Sequence, residues 1–233
     1  NNIQSQEKFL ESRRQIWGGF TEQVRLSDKW LIWADGDLRT KEQFVNNLFQ
    51  LLLRPGLTYL VKPELRFTAG YTFVNHYPID NHQFISQPEN RYWLQFQWLP
   101  HFNTLKLSQR LRFEKRFRRN IQDNYNLAPG YYSNSRLRYQ IQAQYPLSKR
   151  KYQSGTFSLL AFDELMVNVG KKTVLNYFDQ NRFFIGLAYH FNENNNLQFG
   201  YLNVFQQFPN GYKLVETNAI KLTFNQIIDL RKK

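Results

Sequence analysis

Between Arg136 and Leu147 the chain reads RLRYQIQAQYPL. Leu137, Tyr139, Ile141, Ala143, Tyr145 and Leu147 occupy one set of alternate positions, and Arg136, Arg138, Gln140, Gln142 and Gln144 the other. In a strand, successive side chains point to opposite faces, so this stretch divides an apolar surrounding from a polar one across a single sheet. Two environments satisfy it. Either the apolar face covers a protein core and the polar face meets water, or the apolar face meets lipid and the polar face lines a wet lumen.

The rest of the chain favours lipid. Alternation recurs in about eleven segments of the ~9 to 11 residues or more that a membrane-crossing strand needs. Trp30, Ile32, Ala34 and Leu38 oppose Trp33, Asp35, Asp37 and Arg39. Leu105, Leu107, Leu111 and Phe113 oppose Lys106, Ser108, Arg110, Arg112, Glu114 and Arg116. Tyr92, Leu94, Phe96 and Trp98 oppose Arg91, Gln95 and Gln97, with Trp93 as an inward exception. The chain holds 21 Phe and 14 Tyr, yet its mean hydropathy is −0.62, so the apolar residues are concentrated in rows and not in a thick interior. Arginine rows facing a dry core would be buried unpaired charges.

Connections add a second regularity. SDK, KPE, HFNT and NENNN read as tight turns and SKRKYQSG as intermediate, while NHYPIDNHQFISQPEN, RRNIQDNYNLAPGYYSNS, GKKTVLNYFDQN and QQFPNGYKLVET read as long polar segments. Short turns on one rim and long loops on the other are the habit of outer-membrane barrels, the short ones facing the periplasm. Trp30, Tyr92, Trp98 and Tyr145 suit interfacial girdles. No apolar run approaches the ~20 residues of a membrane-spanning helix. NNIQSQEKFLESRRQ lacks the apolar stretch of a signal peptide, so any export signal is expected to have been removed. The absence of Cys excludes a disulfide framework and Cys-ligated zinc.

Lys and Arg number 31 against 18 Asp and Glu, a formal net charge of +13. On a soluble protein that balance suggests nucleic acid. Here the cations fall one per alternate strand position, in a wall and not a patch, and no nucleic-acid partner is expected. Asp35, Asp37, Arg39, Arg54, Arg66, Arg110, Arg112, Glu114, Arg138, Glu164 and Arg182 make a candidate lumen charge network; its functional alternative is an anion-selective passage. Leu137, Tyr139, Ile141, Ala143 and Tyr145 are the matching lipid-facing set. Further cations gather at the rims, among them Lys149, Arg150, Lys151, Arg231, Lys232 and Lys233 on the short-turn side and Arg118, Arg119, Lys171 and Lys172 on the other, where lipid phosphates are their expected partners.

Catalysis on lipid needs a nucleophile and a base at the outer rim. NHYPIDNHQ puts His76, Asp80 and His82 on one segment with Ser86 nearby, a weak catalytic constellation and an equally weak metal site. In FDEL the adjacent Asp163 and Glu164 point to opposite faces of a strand and cannot act as a pair. No metal and no cofactor are expected.

RLRFEKRFRR (Arg110 to Arg119), SRLRYQIQAQYPL (Ser135 to Leu147), FDELMVN (Phe162 to Asn168), FDQNRFFIGLAYHF (Phe178 to Phe191) and LQFGYLNVFQ (Leu197 to Gln206) resemble a family of small barrels from outer membranes of Bacteroidota, the domain of unknown function 2490. The resemblance spans roughly Trp17 to the C-terminus. It implies a bacterial outer-membrane location and a single barrel domain, and it brings no activity.

The expectation is therefore an all-β chain: one antiparallel transmembrane β-barrel of about ten to twelve strands, twelve favoured because antiparallel closure usually needs an even count, with short periplasmic turns and long extracellular loops. Residues 1–14 form a short strand, helix or plug, and residues 15–233 the barrel. The expected role is non-enzymatic. A polar lumen plugged by side chains leaves the long outer loops to join the barrel to an envelope assembly as a structural or accessory subunit. The alternatives are a small anion-selective pore and an outer-rim lipid-modifying enzyme. Outer-membrane lipid and other envelope proteins are the expected partners.

Overall fold

The computed structural model describes residues 9–41, 47–78, 82–170, 177–208 and 211–231. All regular elements in them are strands: β1 (Phe9–Arg25), β2 (Trp30–Thr40), β3 (Leu48–Lys62), β4 (Leu65–His76), β5 (Gln87–Trp98), β6 (Lys106–Ile121), β7 (Leu127–Pro146), β8 (Thr156–Val169), β9 (Phe178–His190), β10 (Asn195–Gln207) and β11 (Lys213–Asp229). Each pairs antiparallel with its sequence neighbour, and β1 meets β11 to close the barrel. Eleven strands fall within the expected ten to twelve, one short of the favoured twelve.

The odd count has a visible cause. A separate short strand before Gln15 was the expected route to twelve, but Phe9–Arg14 run without a break into the rest of β1. Nothing in FLESRRQIWGGF supplies a turn, and its alternation of less and more exposed residues carries through from Glu11 to Trp17. Residues 1–8 of the expected N-terminal segment lie outside the described residues. With an odd number of strands the first and last run the same way. Accordingly β1 and β11 pair in parallel along their whole length, from Phe9 beside Lys213 to Arg25 beside Asp229.

The ends at which β1 leads to β2, β3 to β4, β5 to β6, β7 to β8 and β9 to β10 share one rim, here the turn rim; those of β2 and β3, β4 and β5, β6 and β7, β8 and β9, and β10 and β11 share the other, the loop rim. Part of the polar sequence expected in long loops is strand. Leu127–Ser135 belong to β7 and pair with β6. Beyond Arg118 and before Ser135 these two strands have only each other, because the pairing of β5 stops at Glu89↔Arg118 and that of β8 at Ser135↔Val169. The result is a two-stranded tongue past the loop rim, with Tyr125, Tyr131 and Tyr132 exposed. Phe84 stacks on Tyr125 at 4.7 Å, tying residues 82–86 to the tongue.

Outward faces are apolar. Leu94, Phe96, Tyr139, Ile141, Leu159 and Ile185 are each exposed over 41–50% of their surface. Aromatic contacts mark two belts on this face. Trp30–Tyr59 (5.0 Å), Phe157–Tyr189 (5.0 Å) and Tyr189–Phe191 (5.0 Å) lie toward the turn rim, and Tyr71–Tyr92 (5.6 Å) and Tyr92–Phe117 (6.1 Å) toward the loop rim. Such girdles fit the two interfaces of a bilayer.

Inward aromatics lie over strand glycines. The Trp93 indole covers Gly70 and Gly56, leaving no room for a Cβ at Gly70, and Phe184 lies over Gly186 and Gly200 and stacks on Phe162 at 5.1 Å. Gly70→Ala is expected to cost about 1 to 3 kcal/mol by forcing the indole off the wall. Gly18→Ala, where a Cβ would meet open space, is the control. Urea unfolding in detergent micelles measures both, and equal stability of the two variants would contradict this packing.

Candidate functional site in the lumen

Alternation delivers one charged or amide side chain per inward position, and the interior orders them in two zones. Toward the loop rim they are buried. Glu114, 1% exposed, accepts hydrogen bonds from Arg136 Nη2 (2.7 Å) and Arg138 Nη1 (2.7 Å). The Arg112 guanidinium stands 3.8 Å from the same carboxylate. Arg136 reaches on to Asp179 (2.7 Å). Glu89, also 1% exposed, accepts from Arg91 (2.7 Å) and Arg118 (2.6 Å). A relay continues around the wall: Arg39 donates to the Gln50 carbonyl oxygen (2.9 Å), the Gln50 amide to His76 Nδ1 (2.8 Å), and His76 Nε2 to Glu89 (2.8 Å).

At mid-height the ion pairs continue around the circumference. Glu164 accepts from Arg110 (2.6 Å) and Arg138 (2.7 Å), with Arg182 at 3.6 Å. Arg54 bridges Asp35 (2.7 Å) and Asp37. Arg112 donates to Gln95 and lies over the faces of Trp93 (4.2 Å) and Trp33 (5.0 Å). Arg39 lies over Trp17 at 3.6 Å. An apolar cluster of Trp17, Leu160, Phe184, Leu202, Val204 and Ala219 fills the wall side between β8 and β1.

Below this layer lies a cavity of about 580 Å³, reached from the turn rim, where Leu99, His101 and Phe102 stand at its mouth. Among the described residues, the cavity is a vestibule that opens toward the turn rim and does not reach the layer of Glu89, Glu114, Arg136 and Asp179.

The candidate network residues Asp35, Asp37, Arg39, Arg54, Arg66, Arg110, Arg112, Glu114, Arg138, Glu164 and Arg182 all lie on inward positions, and all but Glu114 line the vestibule. Arg66 differs from the others, having one hydrogen bond, to Gln23 at 3.2 Å, and no ion pair among the described residues. Of the lipid-facing set, Tyr139, Ile141 and Tyr145 are exposed and Leu137 and Ala143 half-exposed on the outer face of β7. Asp163 also points outward, accepting from Asn181 Nδ2 at 3.0 Å, while Glu164 is buried within.

Of the loop constellation, His76 and His82 are described. His76 is the last residue of β4 and turns inward onto Glu89, not out to a lipid surface. His82 is buried and donates through Nδ1 to the Ile85 carbonyl (2.7 Å). Asp80 lies outside the described residues, as do the rim cations Lys171, Lys172, Lys232 and Lys233. Among the described residues no group of three His, Asp or Glu is placed to hold a metal ion. Glu89, Arg136, Asp179, Gln50 and Lys221 also belong to the inward polar set, beyond the candidate network. The alternation signal was available for Arg136, which stands at an inward position of the RLRYQIQAQ row.

A family model described as Protein of unknown function (DUF2490) matches residues 14–215. The chain belongs to this family. A DUF2490 barrel of this kind also has a relative in an uncharacterized protein of Methylorubrum extorquens, 28% identical over 162 residues, which cover 68% of this chain. The match spans 64% of that relative, under two thirds of its length. A solved structure of the NanC porin in a rhombohedral crystal form matches with a TM-score of 0.51 over 88% of this chain and 94% of its own, at 10% identity. That likeness is one of fold: the DUF2490 chain is a porin-like closed β-barrel.

Proposed function

We propose that this chain is a bacterial outer-membrane barrel that carries no current and catalyses no reaction, and that it serves as a structural or accessory subunit of an envelope assembly. The observation that carries the reading is the buried layer around Glu114, whose ion pairs with Arg136 and Arg138 stand on the wall where the cavity no longer extends. A pathway for solute would have to break these pairs, and removing one partner from a buried pair is strongly unfavourable. The apolar outer face and its two aromatic belts support residence in lipid. The inward turn of His76 supports a non-enzymatic role. The β6–β7 tongue, with its exposed tyrosines, is the surface offered to an envelope protein, because aromatic side chains anchor protein interfaces. The placement of many of the cations inside the lumen supports the absence of a nucleic-acid partner.

A small anion-selective pore is the second reading, favoured by the cation-rich vestibule. Planar-bilayer recording of the folded chain separates the two. No stable ohmic step is expected. Steady anion-selective conductance that disappears in Arg110→Gln/Arg112→Gln would replace the scaffold with the pore.

A further inference from the structure

Ion pairing in the lumen is uneven. Around Glu114 and Glu89 the charges are matched by short contacts, but among the described residues nine Arg or Lys side chains line the vestibule against three carboxylates, Asp35, Asp37 and Glu164. Each of those carboxylates already faces an arginine. Lys221 has no hydrogen bond or ion pair among the described residues and lies 6.0 Å from the Phe162 ring. Arg66 has only its amide contact to Gln23. The Nε atoms of Arg39, Arg66, Arg110 and Arg182 are buried without an acceptor among the described residues.

Cations crowded at this density repel one another, and protein carboxylates do not neutralise them. The missing partner is therefore an acceptor-only group of opposite charge. Guanidinium forks match the two-oxygen edge of a carboxylate or phosphate, and a lysine supplies a point charge to the same group. A volume of about 580 Å³ falls within the range of small-molecule sites. Gln97, Gln140 and Gln142 add amide donors and acceptors to the wall.

We propose that the vestibule is a binding site for a small polyanion carrying phosphate or carboxylate groups, entered from the turn rim and held between Arg66, Arg110, Arg182 and Lys221. This goes beyond the scaffold reading and rests on it only for the side of entry, since the buried layer leaves the turn rim as the way in. The same oxyanions can arrive on a soluble metabolite or on a lipid headgroup.

Calorimetric titration of the full chain, folded in a neutral detergent at low chloride, tests the site with two probes: inorganic pyrophosphate, and dioleoyl phosphatidate in mixed micelles. Pyrophosphate is expected to bind saturably, near one per barrel, and Arg66→Met/Lys221→Met to weaken it by at least about tenfold. Lys115→Gln/Arg150→Gln removes the same charge from outward and turn positions and is expected to change affinity less than about twofold. Retention of the compact band of unheated barrel on a gel confirms that each variant folds. Phosphatidate binding alone, weakened by the Arg66/Lys221 pair, makes a lipid headgroup the source and upholds the site. No binding of either probe overturns it, as does equal weakening in both double variants. A barrel that conducts and is blocked by pyrophosphate overturns the closed lumen and leaves the site standing. A silent barrel that binds neither probe overturns the site alone.

Discussion

Glu114→Gln is expected to destabilise the barrel by about 3 to 5 kcal/mol, the cost of leaving a buried ion-pair partner uncompensated. Glu114 is 1% exposed and stands 2.7 Å from both Arg136 and Arg138, with Arg112 at 3.8 Å. Its amide would keep the shape and lose the charge, placing three guanidinium groups against one another at a buried site. Adding Arg136→Met should recover part of the loss, so the double variant falls short of the sum of the singles. Urea midpoints in detergent measure both effects. A loss below about 1 kcal/mol, the range of exposed pairs, would mean that water reaches this layer.

Ile141→Arg is expected to cost roughly 2 to 4 kcal/mol in a lipid-folding assay, as a cation at the bilayer midplane does on a barrel's lipid face. Gln140→Arg should cost far less. The two residues are neighbours on β7 with opposite surroundings. Ile141 is 41% exposed on the outer face, while Gln140 lines the vestibule and pairs across the sheet with Glu164, a ready partner for a new guanidinium. Equal tolerance of both changes would remove the lipid-facing assignment of β7.

The residues easiest to read from sequence were those whose two faces meet different solvents. In RLRYQIQAQYPL every second side chain is forced into one environment, so the facing of Tyr139, Ile141 and Arg138 follows from a period of two. Strand ends carry no such constraint. QPEN and FDQN look like loop because Pro, Asn and Asp favour turns, yet Gln87–Asn90 open β5 and Phe178–Asn181 open β9. Their acids, Glu89 and Asp179, are thereby placed in the wall and become partners of Arg91, Arg118 and Arg136. The tongue was read as loop for a similar reason: Leu127–Ser135 pair only with β6 for most of their length, so neither face is buried and no alternation is imposed. The closing seam is a matter of the whole chain. Whether Phe9–Arg14 are a strand of their own or the head of β1 depends on β11, some two hundred residues away, against which they align.

That parallel seam decides where the wall's two ends stand. In a wall with an even number of strands, the first and last residues leave through the same side of the membrane. Here Phe9 begins at the loop rim and Asp229 finishes at the turn rim, so the described wall starts at one rim and ends at the other. A label on Phe9 and another on Asp229, which therefore stand at opposite rims of the wall, would report on opposite faces of the same membrane.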